Sequence, residues 1–99
     1  MIESLTHEQF DNLLQQRFEI VLEDSRIPCK LSECTVLKDG DQTSEGGRQP
    51  FSLIFVGPAS PILPQATYRL EHDEMGALEL FLVPVGCDEV GAQYQAVFA

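Results

Sequence analysis

A mostly β, α+β domain is what this sequence predicts: one N-terminal helix capping a small antiparallel barrel or sandwich of about six strands. Three observations lead there. From residue 17 onward apolar residues alternate with period two in one run after another. Gly, Pro and acidic clusters separate those runs at the spacing of hairpins. Period 3.6, with a complete helix start signal, occurs once, at the N-terminus. The 99 residues contain no repeat and no second zone of composition, so one domain, 1–99, is expected.

The helix is placed at about residues 6–16. Thr6 is the expected N-cap, with Gln9 three residues on to close a capping box and Leu5 and Phe10 spaced for a hydrophobic staple. Phe10, Leu13 and Leu14 form one narrow apolar stripe, which suits a lid rather than a bundle helix.

The first strand, 17–23, points Phe18, Ile20 and Leu22 one way. After the turn Asp24-Ser25-Arg26, the second strand, 27–38, begins its apolar alternation on odd positions (Ile27, Cys29, Leu31) and ends it on even ones (Cys34, Val36). That change of parity predicts a β-bulge near Ser32-Glu33. Residues 39–48 hold no apolar side chain and three glycines, a loop composition. The third strand, 50–57, is apolar at successive positions (Leu53, Ile54, Phe55, Val56) and reads as central, covered on both sides.

Pro58, Pro61 and Pro64 then favour an extended crossover that delivers Ile62 and Leu63 to the core. A hairpin follows, 66–73 and 77–85, around an acidic turn ending in Gly76. Its second strand carries Leu78, Leu80 and Leu82 on one face and Phe81 and Val83 on the other, so it too is expected to pack on both sides. Pro84 marks a strand end or an edge, because it has no N–H to donate. The turn at Gly86–Gly91 leads to the last strand, 92–98, with Tyr94, Ala96 and Phe98 inward.

Chemistry is sparse. Glu71-His72-Asp73-Glu74 brings a histidine among carboxylates, but strand alternation sends His72 away from Glu71 and Asp73, so a buried histidine at a hairpin end is the expected outcome and no metal ligand set is assigned. Asp39-Gly40-Asp41 opens like a calcium loop yet has Ser44 where the turn Gly belongs and Pro50 where the closing Glu belongs. Cys29, Cys34 and Cys87 are an odd number with no motif around them, and they read as reduced thiols packing as small hydrophobes. Phosphate-binding and nucleophile-elbow motifs are absent, so no catalytic residue and no cofactor is predicted.

The charge narrows the partners. Sixteen acids against six bases give a net −10, and Arg69 is the only base after Arg48. Nucleic acid draws its affinity from Lys and Arg neutralising phosphates and would be repelled, as would an anionic membrane surface. A protein partner should be basic or apolar at the contact. The N-terminus lacks the basic and apolar regions of a secretory signal, and no apolar run approaches a membrane span, so a cytoplasmic location is expected.

The chain resembles a family of small bacterial proteins catalogued only as a domain of unknown function. The resemblance runs nearly end to end, through L-T-H-E-Q-F (Leu5–Phe10), R-Q-P-F-S-L-I-F-V-G-P (Arg48–Pro58), L-P-Q-A-T-Y-R-L-E-H (Leu63–His72), G-A-L-E-L-F-L-V-P-V-G (Gly76–Gly86) and Y-Q-A-V-F (Tyr94–Phe98). Ala66 departs from the family's common Gly. The resemblance implies no catalytic residues; members are sometimes encoded near phage tail-collar-like proteins, which implies an accessory role in such an assembly.

The function expected is therefore a non-enzymatic protein-interaction or assembly accessory domain. Its candidate surface lies on the loops, at Arg48, Pro58, Pro61, Asp88 and Glu89. An exposed edge strand is a second route, open to a homo-oligomer. The alternative is a small-molecule-binding β-barrel with a cavity lined by Phe51, Phe55, Tyr68 and Leu80. A hydrolase comes third and needs His7 or His72 beside a Cys, Ser or second acid.

Overall fold

The computed structural model describes residues 7–36 and 50–98. Six antiparallel strands close into a barrel: β1 (Arg17–Val21), β2 (Arg26–Val36), β3 (Phe51–Gly57), β4 (Ala66–His72), β5 (Gly76–Cys87) and β6 (Ala92–Phe98). Around the barrel the order is β1-β2-β3-β6-β5-β4, and β1 closes onto β4 through Glu19↔Glu71, Ile20↔Leu70 and Val21↔Arg69. Every strand has a paired neighbour on each side over part of its length. Among the described residues no strand therefore stands wholly at an open sheet edge, the route expected for a homo-oligomer.

The helix is shorter than 6–16. Its described part is α1 (His7–Asp11), followed by turns. Leu13 N–H bonds to Phe10 O at 2.8 Å, tightening the spacing, and Gln15 adopts φ 71°, which stops the helix. Gln15 N–H then donates to Leu31 O, and Leu31 N–H returns the bond to Gln16 O. The groups that would have extended the helix are satisfied by β2 instead. Thr6 and Leu5, the expected cap and staple, lie outside the described residues, as do Asp39, Asp41 and Arg48.

Strand alternation sorts the side chains. Phe18, Ile20, Leu31, Phe51, Leu53, Phe55, Leu70 and Leu82 are fully buried. α1 lowers Phe10 onto Phe51 and Phe98, whose rings stack at 4.6 Å between centroids and 6° between planes. Deeper in, Phe18 meets Phe55 edge-on at 5.2 Å and lies against His72 at 4.6 Å. Phe51 thus packs on Phe10 and Phe98 and Phe55 on Phe18, while Tyr68 is only half-buried and donates its hydroxyl to Pro64 O.

The bulge in β2 falls between Leu31 and Glu33, where the parity change placed it. β1 stops at Val21 because Leu22 N–H bonds to Ser25 O and closes the turn. β5 runs past Pro84 to Cys87; a register shift between Pro84 and Gly86 absorbs the missing donor, so the proline marks a bulge, not an end. Phe81 corrects a second expectation. It points outward at 51% exposure, because closing the sheet leaves its outer face without a covering layer. In the crossover Leu63 is buried but Ile62 is half exposed. Its backbone bends at 59–61, with a cis peptide at Ser60–Pro61, and Tyr94 Oη accepts Leu63 N–H at 2.9 Å.

Candidate functional site: two unlike walls of one barrel

The outer surface divides by charge. On β1, β2 and β4 the outward positions carry Arg17, Glu19, Arg26, Lys30, Glu33, Arg69 and Glu71. On β3, β6 and β5 they carry Ser52, Ile54 and Val56, then Gln93, Gln95 and Val97, then Phe81, Val83 and, at the bulge, Val85. These nine positions, on three adjacent strands, carry no charged side chain. In a chain of net charge −10 this is a strong segregation. Phe81, Val85 and Val97 are each more than half exposed. Acids stand at its margins, with Glu79 further along β5 and Glu89 in the turn beyond it.

On the charged wall Glu19 and Glu71 are neutralised from within. Glu19 and Glu71 are cross-strand partners, and two carboxylates directly opposite would repel. Arg26 bridges them, 3.1 Å from Glu19 and 2.8 Å from Glu71, while Arg17 backs Glu19 and Arg69 backs Glu71. The Arg26 guanidinium, then that of Arg69, holds the Glu71 carboxyl below its ordinary 4.5. A depressed folded-state value means this contribution is present above the unfolded carboxylate's pKa and is lost as pH falls through the folded one. Arg26→Gln should therefore lower stability modestly at neutral pH, since exposed pairs are worth little. The gap from wild type should close in urea titrations below about pH 4. A gap that is constant with pH would refute the bridging role.

His72 is placed as the alternation required, buried and pointing inward while Glu71 points out. Both ring nitrogens are engaged. Nδ1 accepts the N–H groups of Glu74 and Met75 at 3.0 and 3.2 Å, so Nε2 carries the proton and meets Gln16 Oε1 at 2.8 Å. The histidine ties the β4–β5 turn to the segment after α1. Its pairing with Gln16, 56 residues away, had no sequence signal.

One grouping went unforeseen. His7 and Asp11 of α1 lie together with Cys34 of β2, His7 Nδ1 being 3.5 Å from Asp11 Oδ2 and Cys34 Sγ 3.7 Å from His7 O. Asp11 is the shared neighbour of the other two, whereas a nucleophile relay needs the histidine in the middle. Burial, and then Asp11, push the Cys34 thiol up to about 11; burial pushes Cys29 up to about 12. Both shifts oppose thiolate formation. Among the described residues no group of three or more His, Cys, Asp and Glu is arranged to hold a metal ion.

Of the loop residues expected to form a surface, Pro58, Pro61, Asp88 and Glu89 are exposed at one end of the neutral wall. Asp88 is occupied by its own turn: Oδ1 accepts Val90 and Gly91 N–H, and Oδ2 takes Gln93 Nε2. Beside Pro58 a groove of about 480 Å³ opens on the outer face, reaching from Arg17 and Lys30 across Val56 to Val90.

Residues 5–98 match the family described as a domain of unknown function, DUF6916. The chain belongs to that family. The match covers all six strands of the barrel, so the closed fold is that of the family's own domain here. No curated protein and no solved structure matches the chain. Among the described residues no helix is long and apolar enough to cross a membrane.

Proposed function

We propose that this DUF6916 domain works by binding rather than by catalysis, docking a protein partner on the neutral β3-β6-β5 wall. The observation that carries the reading is the segregation itself: nine outward positions without a charge, next to a wall where Arg17, Arg26 and Arg69 pair with Glu19 and Glu71. Interface cores are depleted in charge and enriched in aromatic residues, and Phe81 fits that centre. Exposed contiguous apolar surface on a soluble domain marks such a contact. The acids at the margin, Glu79 and Glu89, and the net −10 suit a partner with an apolar patch rimmed by Lys and Arg. Nucleic acid is disfavoured by the same charge. Free Cys29, Cys34 and Cys87 fit a reducing cytoplasm. The family resemblance makes a tail-collar-like protein from the same genome the first partner to test.

The experiment compares three proteins as bait in the native host and against that purified candidate. They are wild type, Phe81→Asp/Val97→Asp, and Arg69→Ser as a charged-wall control. Two exposed substitutions should leave thermal stability nearly unchanged while weakening capture at least about thirtyfold, the scale of one interface hot spot. Equal capture by wild type and the Phe81/Val97 variant, or recovery of the chain alone as a monomer, sinks the reading.

A further inference from the structure

We propose that the groove beside Arg17 and Lys30 is a receptor for the C-terminal carboxylate of a partner polypeptide, with the partner's last, apolar side chain lying over Val56 and Val90. This deepens the protein-binding reading above and rests on it. The groove's volume, about 480 Å³, is that of a small-ligand site and holds roughly the last few residues of a chain.

The argument starts from strand register. Arg17 and Lys30 are Cα partners across β1–β2, two cations directly opposite on the outer face. Such a pair is destabilising by itself. The same barrel shows how the opposite case is handled: Glu19 and Glu71 also face each other, and Arg26 is inserted between them. Among the described residues no carboxylate is inserted between Arg17 and Lys30. Arg17 touches Glu19, two residues along its own strand, and Lys30 has no ion-pair partner among the described residues. Among the described residues this two-cation pair is thus unbridged, at a groove whose lining holds no acid. An external anion supplies the bridge that the sequence does not.

The neighbours choose among anions. Lys30 is the Cα partner of Val56, so the row Arg17–Lys30–Val56 steps from charge to hydrocarbon in one strand spacing of about 4.8 Å. Pro28, Pro58 and Val90 continue the apolar lining. A terminal carboxylate sits one Cα from its own side chain, which matches that step; free inorganic phosphate has no apolar neighbour to match it. Arg17's fork can take both carboxylate oxygens while Lys30 acts as a point charge. Val56 also belongs to the neutral wall, so a partner lying on that wall can end in this groove.

The test titrates two fluorescein-labelled Gly/Ser peptides ending in Val-Leu, one with a free terminal carboxylate and one amidated, into the full chain. A third, amidated peptide carrying an internal Glu reads out side-chain carboxylates. The free acid should bind with Kd below about 1 mM and shift backbone amide resonances at 15–17, 28–30, 56–58 and 90. The amide should bind at least about tenfold more weakly. Lys30→Glu gives the decisive second measurement: it should abolish peptide binding while preserving or raising thermal stability, because a carboxylate now faces Arg17. Equal binding of acid and amide, tighter binding of the internal-Glu peptide, or no binding below about 1 mM overturns the proposal. Phe81→Asp/Val97→Asp should keep the peptide and lose the protein partner. Peptide binding without protein capture thus counts against the wall, and capture without peptide binding counts against the groove.

Discussion

Phe51→Ala is expected to cost about 3–5 kcal/mol, the range for emptying a fully buried aromatic site. Domains of this size are stable by roughly 5–15 kcal/mol, so the variant keeps a fraction of that and melts on the order of 15–30 °C lower. The position is severe for a structural reason. Phe51 stacks on Phe98 at 4.6 Å, meets Phe10 at 5.9 Å and receives His7 edge-on at 6.1 Å, so its ring joins α1 to the ends of β3 and β6. Strands held in a closed ladder cannot collapse into the void, which leaves the cavity open. Phe81→Ala is the matched control: the same atoms are deleted from a half-exposed site, and the change should stay within about 0.5 kcal/mol. Thermal melts of the two variants decide it. Comparable losses would mean that the outward wall, not the ring stack, holds the barrel together.

Much of that core was legible in the sequence, because period-two alternation says which side chains share a face. Phe18 and Ile20, Leu80 and Leu82, and Tyr94, Ala96 and Phe98 all went inward as read. Even the β2 bulge was visible, as a change of parity between Leu31 and Cys34. What alternation cannot give is the layer on the other side. Phe81 and Val83 look like a second buried face if the sheet is one of two layers, but they become an exposed wall once the sheet closes on itself. Closure depends on β1 meeting β4, a pairing across some 50 residues that leaves no local trace.

The candidate surfaces were less legible for the same reason. That β3, β5 and β6 each carry uncharged outward positions can be counted along the chain, yet their adjacency follows only from the order β3-β6-β5. The opposition of Arg17 to Lys30 depends on a register set by the turn at Leu22–Ser25. Sequence reasoning instead favoured loop tips for their composition. Asp88 shows why composition misleads there, since its carboxylate closes its own turn and is not offered outward. The helix departs from expectation at its C-terminal end. Leu13 and Leu14 continue the apolar stripe, but Gln15 and Gln16 find partners in Leu31 that a longer helix would have left unpaired.

Gly91→Ala should be the most damaging small substitution in the loops, at roughly 2–4 kcal/mol. Two independent costs meet there. The backbone sits at φ +150°, a region that a Cβ disfavours, and a Cβ built on it would overlap Gly57 O. That oxygen belongs to the backbone of β3, so it cannot swing aside as a side-chain end would. Relief requires moving β3 from β6 at Gly57↔Ala92 or opening the turn, where Asp88 N–H bonds to Gly91 O and Gly91 N–H returns to Asp88 O, each at 3.1 Å. Gly76→Ala separates the two costs. Gly76 also has positive φ, at 78°, but nothing lies within 4 Å of its Cβ position, so only the backbone term applies, about 1 kcal/mol. Urea denaturation of both variants should rank Gly91→Ala well above Gly76→Ala. Amide exchange should accelerate at Gly57 and Ala92 in the first and at the β4–β5 turn in the second. Equal losses would mean that the approach of Gly91 to β3 is not a constraint on the fold.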